Sequence, residues 1–219
     1  LIVLRAITPY RPQLRFNRVT AKQHSSYGAK IASIDVITYL KNQAPNIIIS
    51  RLAGAHLVGL FNKADSMAKI PFTTVNGPIY QPVFRSLSIV QDNPDQAKYI
   101  FFRTISLLAV YTLPLYIGLG WCATPLVNFL YGEKWSGASG ALVILAFSGS
   151  LYCIHHPAGA VLAAYDRLGG ELIIQTVLLI IVAIGTLLML SHGLEGIAWV
   201  LLMGHVYITT HLYYLATRC

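Results

Sequence analysis

Residues 29–69 read AKIASIDVITYLKNQAPNIIISRLAGAHLVGLFNKADSMAK, a hydrophobic hairpin that carries many polar side chains. Two apolar runs flank a short turn at residues 51–54, and each run has about the length that crosses a bilayer, ~20 residues. Ionisable groups at membrane depth are costly and usually face a bundle interior or a watery cavity. The stretch therefore predicts two membrane helices that bind or move something polar.

The composition of the 219-residue chain is typical of a membrane protein, with 55% hydrophobic and 11% charged residues. A soluble domain usually has about 25% charged residues. The apolar residues come in long runs, which predicts an all-α membrane protein. The formal charge of +8 fits the excess of Lys and Arg in cytoplasmic loops of such proteins, so a nucleic-acid partner is not predicted.

The apolar runs predict a six-helix transmembrane bundle over residues 29–217. Residues 1–7 are predicted to be the tail of a preceding transmembrane helix, and residues 8–28 a basic loop. Residues 122–138 are too short and interrupted to span, and we expect them to lie in the membrane interface. The six spans are predicted at about 29–50, 53–79, 99–121, 139–165, 172–190 and 197–216.

The basic residues predict the orientation of these spans. When loop 8–28 is placed in the cytoplasm, ten of the 16 Lys and Arg residues fall on the inside and two on the outside. Such a bias is typical of cytoplasmic loops. The sequence therefore predicts a multi-pass protein of the bacterial inner membrane with loop 8–28 cytoplasmic.

Two lysines of the hairpin have simple explanations. Lys30 lies near the end of its span, where its long side chain can reach the headgroups. Lys69 follows Asp65 by one helical turn, and an acid placed first favours an ion pair. Neither lysine requires a cavity.

Five polar side chains of the hairpin lack such an explanation and are the candidates for a substrate cavity: Asp35, Lys41, Asn42, Asn46 and Lys63. Lysines at low dielectric suit a phosphate or pyrophosphate group, and Asn side chains can hydrogen-bond sugar hydroxyls. The alternative is a structural role, in which Asp35 pairs with Lys41 or Lys63 across the bundle.

Four residues are candidates for proton or ion coupling: Asp35, Asp65, His155 and His156. Histidine titrates near neutral pH, which suits a proton-sensitive group. The alternative for the two histidines is polar contact between helices or a hydrogen bond to backbone freed near Pro157. No nucleophile–base set, metal-ligand spacing or phosphate loop is found, so no catalytic residue, metal or cofactor is predicted.

Four segments carry a resemblance to a known family. The most specific is YGEKW at residues 131–135, followed by small residues. The chain resembles the polysaccharide and oligosaccharide-lipid flippases, whose superfamily also holds multidrug exporters. The matching segments are RLAGAHLVGLFNKADSMAKIP (51–71), FRSLSIVQDNPDQAKYIFFR (84–103), LPLYIGLG (113–120) and PLVNFLYGEKWSGA (125–138).

The resemblance implies two pseudo-symmetric six-helix bundles around a central cavity, of which this chain is the C-terminal half. The implied substrate is an undecaprenyl-pyrophosphate-linked oligosaccharide, flipped by alternating access between the two bundles. Implied partners are membrane lipids and the N-terminal bundle of the same protein. Family members often carry an acid just before the position of Asn46, where this chain has Pro45, and an ion-coupling role of that acid is not carried over.

Three other functions remain as alternatives. A drug or metabolite antiporter of the same superfamily would lack the QDNPD and GEKW segments found here. A membrane enzyme of polysaccharide assembly, such as a polymerase or ligase, would show a large external loop with clustered catalytic groups. A scaffold subunit without transport activity would not require lysines at membrane depth.

Overall fold

The computed structural model describes residues 18–90 and 92–216, and every regular element within them is helical. The all-α prediction is therefore confirmed for these residues. Residues 1–7, residues 8–17 of the predicted loop and residue 217 lie outside the described residues. The α-helices are α1 (Arg18–Leu52), α2 (Gly54–Pro71), α3 (Tyr80–Ile89), α4 (Pro94–Trp121), α5 (Ala123–Tyr131), α6 (Ser139–Ala164), α7 (Leu168–Met189) and α8 (Gly193–Ala216).

The predicted turn at residues 51–54 separates α1 from α2. Gly54 has a φ of +87°, a left-handed conformation that glycine adopts without steric cost. Gly132 has the same φ and ends α5, where a 3₁₀ helix (Glu133–Ala138) turns the chain into α6. Another 3₁₀ helix, Leu190–His192, joins α7 to α8.

Two helices begin earlier than the sequence predicted. Residues 18–28 of the predicted loop are helical and belong to α1 (Arg18–Leu52). They contain no proline, and their basic and polar side chains suit a helix that extends beyond an apolar layer. Helix α4 begins at Pro94 rather than near residue 99, because Asn93 accepts a hydrogen bond from the backbone N–H of Gln96 (3.2 Å) and Pro94 takes the first helical position.

The second predicted span, 53–79, is an irregular helix. Helix α2 continues through a π-helical segment (Phe72–Asn76) and a 3₁₀ segment (Gly77–Ile79) into α3. Pro71 and Pro78 lack the N–H that a regular helix needs, so the hydrogen-bond ladder widens and then tightens. The C-terminal half of the predicted span is therefore distorted rather than a regular α-helix.

Two apolar clusters mark opposite ends of the molecule. The first, here the Trp135 end, joins the end of α1 to the starts of α2 and α8 through Ile49, Leu60 and Ile197. The second, here the Tyr165 end, joins the end of α3 to the start of α4 and the end of α8 through Leu87, Ala97 and Leu212. The start of α1 also lies at the Tyr165 end.

Two polar contacts fix that start of α1. The Tyr27 hydroxyl donates a hydrogen bond to the Ala163 carbonyl oxygen (3.0 Å). Lys30 forms an exposed ion pair with Asp166 (3.2 Å), so it binds a carboxylate at the α6–α7 turn instead of only reaching the headgroups.

Among the described residues, three stretches are long and apolar enough to cross a membrane: Pro94–Trp121, Glu133–Ala164 and Leu168–Ala216. The third contains both α7 and α8. The predicted spans 29–50 and 53–79 are not among the three, because their polar side chains lower the mean hydropathy. The chain is thus an all-α membrane protein whose first two long helices are distinctly polar.

Exposed polar and apolar side chains are distributed unevenly over the helices. Helices α4 and α7 expose large apolar residues along their length, including Phe102, Val110, Ile180 and Leu188. Helices α1 and α2 expose apolar residues as well, such as Val36, Leu40, Ile47 and Ile70, but next to them they carry exposed polar stripes. The stripe residues are Asp35, Tyr39 and Asn42 on α1, Asn62, Ser66 and Lys69 on α2, and Thr73 on the π-helical segment that follows α2.

Candidate functional site

A cavity of about 320 Å³ lies between α1, α2, α4, α6, α7 and α8. Its walls are close-packed because glycines on α6 and α8 allow large side chains of other helices to approach the backbone. A Cβ atom at Gly149 would lie 2.6 Å from the Tyr116 ring, and one at Gly204 would lie 2.9 Å from Leu178. The polar lining residues are Lys41, Asn42, Asp65, Lys69, Thr73, Tyr116, Ser148, Tyr152 and His205.

Lys41 is the buried cation of this cavity, with only 5% of its surface exposed. Its ammonium group donates a hydrogen bond to Gln175 Oε1 on α7 (3.1 Å), a neutral partner. Glu171, one turn before Gln175, is also buried and attracts the Lys41 charge, but no ion pair joins the two among the described residues. Lys41 therefore has no directly bonded counter-charge in the described part of the chain.

The mouth of the cavity lies between α1 and α2, where its lining residues Asn42, Lys69 and Thr73 are exposed. The predicted ion pair between Lys69 and Asp65 is present. Because Asp65 largely balances Lys69, the uncompensated charge of the cavity is that of Lys41. The Thr73 hydroxyl bonds back to the carbonyl oxygens of Lys69 (3.2 Å) and Ile70 (3.1 Å).

Two histidines, His205 and His155, lie between α6 and α8, the first at the cavity wall and the second behind it. Ser148 Oγ and His205 Nδ1 lie 2.6 Å apart and share a hydrogen bond at the cavity wall. Deeper, His155 Nδ1 lies 3.0 Å from both the Leu151 carbonyl oxygen and Thr209 Oγ1. His155 therefore connects α6 with α8 and does not line the cavity.

His156 also lies outside the cavity lining, in an aromatic setting. Its ring centroid lies 5.0 Å from that of Phe72 and 4.9 Å from that of Tyr80. Pro157, next to it, leaves the Cys153 carbonyl oxygen without its helical donor. Asn76 Nδ2 donates to that oxygen (3.0 Å), so Asn76 rather than a histidine satisfies the freed backbone.

Two other candidates of α1 are outside the cavity lining. Asp35 is exposed, and no ion pair joins it to Lys41 or Lys63 among the described residues, so the proposed pairing across the bundle is not found. Asn46 Nδ2 donates to Gln43 Oε1 (3.4 Å). Its Oδ1 is buried without a hydrogen bond to any described residue.

Lys63 lies at the Trp135 end, away from the cavity lining. Its ammonium nitrogen is 4.6 Å from the ring centroid of Tyr131 and 5.6 Å from that of Trp135. The Trp135 ring in turn covers Gly59, where a Cβ would lie 3.5 Å from it. The YGEKW segment thus packs against α2 through the rings of Tyr131 and Trp135.

Replacing Lys63 by glutamine is therefore expected to lower the free energy of unfolding rather than to alter a cavity. The loss should be about 0.5–2 kcal/mol, the range of cation–π contacts from exposed to desolvated sites. Thermal unfolding of the full-length protein in detergent measures it. Lys22→Gln is the control, because Lys22 is exposed and makes no cation–π contact among the described residues, whereas Lys134 also lies near the Trp135 ring. Equal unfolding temperatures for Lys63→Gln and the unmodified protein would show that the contacts of Lys63 with Tyr131 and Trp135 do not stabilise the fold.

No site role was predicted from the sequence for Glu171, Gln175 and His205, which lie in or near the cavity. Glu171 falls just outside the predicted span 172–190. A signal was available, since Glu171 and Gln175 are the two polar residues one turn apart at the start of an apolar helix. Their face of α7 contacts α1, which the sequence alone does not reveal.

Comparison with known proteins gives these residues a family context. Residues 1–140 match the family described as "Polysaccharide biosynthesis protein". The chain is similar to the lipopolysaccharide biosynthesis protein WzxC of Escherichia coli (strain K12), with 27% identity over 158 residues, 72% of this chain and 32% of that protein. It is also similar to the teichuronic acid biosynthesis protein TuaB of Bacillus subtilis (strain 168), with 28% identity over 158 residues, 72% of this chain and 33% of that protein.

The succinoglycan biosynthesis transport protein ExoT of Rhizobium meliloti (strain 1021) is a further relative, with 25% identity over 147 residues, 66% of this chain and 29% of that protein. The chain thus spans about a third of the length of these relatives. No solved structure matches the chain.

Proposed function

Because this chain belongs to the polysaccharide biosynthesis protein family, we propose that it is the C-terminal bundle of a flippase that moves an undecaprenyl-pyrophosphate-linked oligosaccharide across the bacterial inner membrane. The observation that carries the proposal is Lys41, a buried lysine in a cavity with a neutral hydrogen-bond partner. A buried charge is costly without a partner, so it marks a functional site in a membrane protein. An anionic group of the substrate would supply the missing counter-charge.

Six crossings of the membrane are part of this proposal: α1, the α2–α3 rod, α4, α6, α7 and α8. Loop 8–28 and the Tyr165 end are cytoplasmic, and the Trp135 end is periplasmic, with residues 122–138 in the interface. The arrangement of exposed side chains supports it. The apolar faces of α4 and α7 would contact lipid, and the polar stripes of α1 and α2 would face water and the N-terminal bundle.

The cavity would take the pyrophosphate and the sugars next to it. Lys41 supplies charge-assisted hydrogen bonds to phosphate oxygens, which are roughly twice as strong as neutral ones. Asn42 and Thr73 at the mouth offer donors and acceptors for sugar hydroxyls. Asn46 and Lys63 are not assigned to the substrate, because neither lines the cavity.

For ion coupling we assign Asp65 from the four candidates. It lines the cavity and pairs with Lys69, whereas Asp35, His155 and His156 are not in the lining. An anionic substrate that attracts Lys69 would weaken the Lys69–Asp65 pair and leave Asp65 able to bind a proton or a cation. Substrate entry and ion binding would then be linked through one ion pair.

Proteoliposomes that contain the full-length protein test the proposed function directly. A labelled undecaprenyl-pyrophosphate oligosaccharide on the inner leaflet should become accessible to an added external glycosidase only when the protein is present. The chemical structure of the oligosaccharide should be unchanged. Glycan lengthening or transfer would instead support a polymerase or ligase. Efflux of a dye without lipid movement would support an antiporter.

A further inference from the structure

A second cavity, of about 370 Å³, lies at the Tyr165 end between α3, α4, α6 and α8. Its volume is within the range of ligand pockets, about 300–1,000 Å³. It is separate from the substrate cavity, with which it shares no lining residue. The lining residues are Leu87, Pro94, Ala97, Lys98, Phe101, Phe102, Val161, Tyr165 and Ala216.

The cleft is apolar inside, and among the described residues its lining includes one cation, which lies at its edge. Leu87, Ala97 and Phe101 are buried and form the floor, while Phe102 and Lys98 are exposed at the rim. An acyl chain can lie on this floor much as it lies in the bilayer, because lipid tails and apolar side chains are similarly apolar. The floor alone would accept any acyl chain, so the rim must provide any selectivity.

Lys98 is the charged group that this rim offers. It forms no ion pair and no hydrogen bond with any residue in the described ranges 18–90 and 92–216, although Asp95 is one turn away. Arg103, farther along α4, is already held by a hydrogen bond to the Tyr99 hydroxyl. A single ammonium group at the edge of an apolar cleft matches a ligand with one negative charge and a hydrocarbon tail.

We propose that this cleft binds one anionic phospholipid, with an acyl chain on the Leu87–Phe101 floor and the phosphate at Lys98. The cleft lies where the ends of four helices meet, and exposed aromatic and basic side chains there are typical of the headgroup level. Basic pockets between helices at the cytoplasmic side bind anionic headgroups. That the lipid belongs to the cytoplasmic leaflet rests on the proposed orientation of the chain.

Native mass spectrometry of the full-length protein with added phosphatidylglycerol or phosphatidylcholine tests this site. The unmodified protein should retain phosphatidylglycerol about fivefold better, the effect of one lysine near a headgroup. Lys98→Gln should abolish that preference. Arg85→Gln is the matched control, because Arg85 is an exposed cation of α3 that does not line the cleft, and it should keep the preference.

A second variant tests the cleft itself. Ala216 lines the cleft at the end of α8 and is only partly buried, so Ala216→Trp should fill the cleft without disturbing the core, and retention of both lipids should fall. Equal retention of the two lipids by the unmodified protein, or retention unaffected by Lys98→Gln and Ala216→Trp, would overturn the proposal.

Displacement of phosphatidylglycerol by undecaprenyl phosphate would also overturn it, because the cleft would then hold the carrier lipid. Lipid retention is measured without transport. A protein that moves no oligosaccharide can therefore still pass this test, and failure of the two proposals can be told apart.

Discussion

Lys41→Met is expected to reduce glycan export by the full-length protein about 10- to 100-fold while leaving its abundance in the membrane unchanged. The reason is the loss of a charged hydrogen-bond donor, a kind of contact that contributes about 1.5–3 kcal/mol. Export is measured as surface glycan in cells whose own gene for this step is deleted, and abundance by immunoblotting of the membrane fraction.

The same substitution should have little effect on folding. Lys41 is 5% exposed and bonded to a neutral amide, so removing its charge also removes a desolvation cost. Methionine has a similar length and fills the same space. Against this gain, Gln175 loses a donor and Glu171 loses an attracting charge, each at a cost of about 1–3 kcal/mol. We expect a net change in the free energy of unfolding within about 1 kcal/mol.

Lys30→Met provides the control for a lysine of the same helix. It breaks the exposed pair with Asp166, and exposed pairs contribute about 0.2–1 kcal/mol, so export should stay near normal. Normal export by Lys41→Met would show that the buried lysine is structural. Loss of the Lys41→Met protein from the membrane would show that Lys41 is needed for folding, which contradicts the expectation that its main role is in transport.

Helical geometry assigns the polar side chains of α1 to faces of the helix. At 100° per residue, one face holds Asp35, Thr38, Tyr39, Asn42 and Asn46, and Lys41 lies on nearly the opposite side. In the structure Asp35, Tyr39 and Asn42 are exposed, Thr38 and Asn46 are partly buried, and Lys41 is buried. The angle of 100° per residue follows from helix geometry alone, so the sequence is enough to assign a residue to a face of its helix. The partner of Lys41 is not local. Gln175 lies 134 residues away, and only packing of α1 against α7 brings it near.

Similar reasoning applies to Lys63 and His156. Both were judged from their own helices, Lys63 as a candidate for the cavity and His156 as a candidate for proton coupling or for polar contact between helices. Their actual neighbours are aromatic rings supplied by other elements, Tyr131 and Trp135 for Lys63 and Phe72 and Tyr80 for His156. Aromatic faces leave no charge pattern in a sequence. The Asp65–Lys69 pair was predicted correctly because both residues belong to one turn.

Thr73→Trp is expected to block transport by closing the mouth of the cavity. Thr73 lines the cavity and is exposed between α1 and α2, so a tryptophan there can extend over the opening without entering the core. The hydroxyl that is lost only bonds back to carbonyl oxygens of its own helix, which does little for stability. Export should fall at least tenfold, and the thermal unfolding temperature should change by only a few degrees.

Thr74→Trp is the matched control, since Thr74 is the next residue, is also exposed and does not line the cavity. The two variants place the same side chain at adjacent positions of the same π-helical segment, where the two side chains point in different directions, so general effects of a large residue cancel in the comparison. Export near normal for Thr74→Trp and lost for Thr73→Trp would locate the substrate path at this mouth. Normal export by both variants would mean that the oligosaccharide passes elsewhere, and Lys41 would then face a cavity that the substrate does not use.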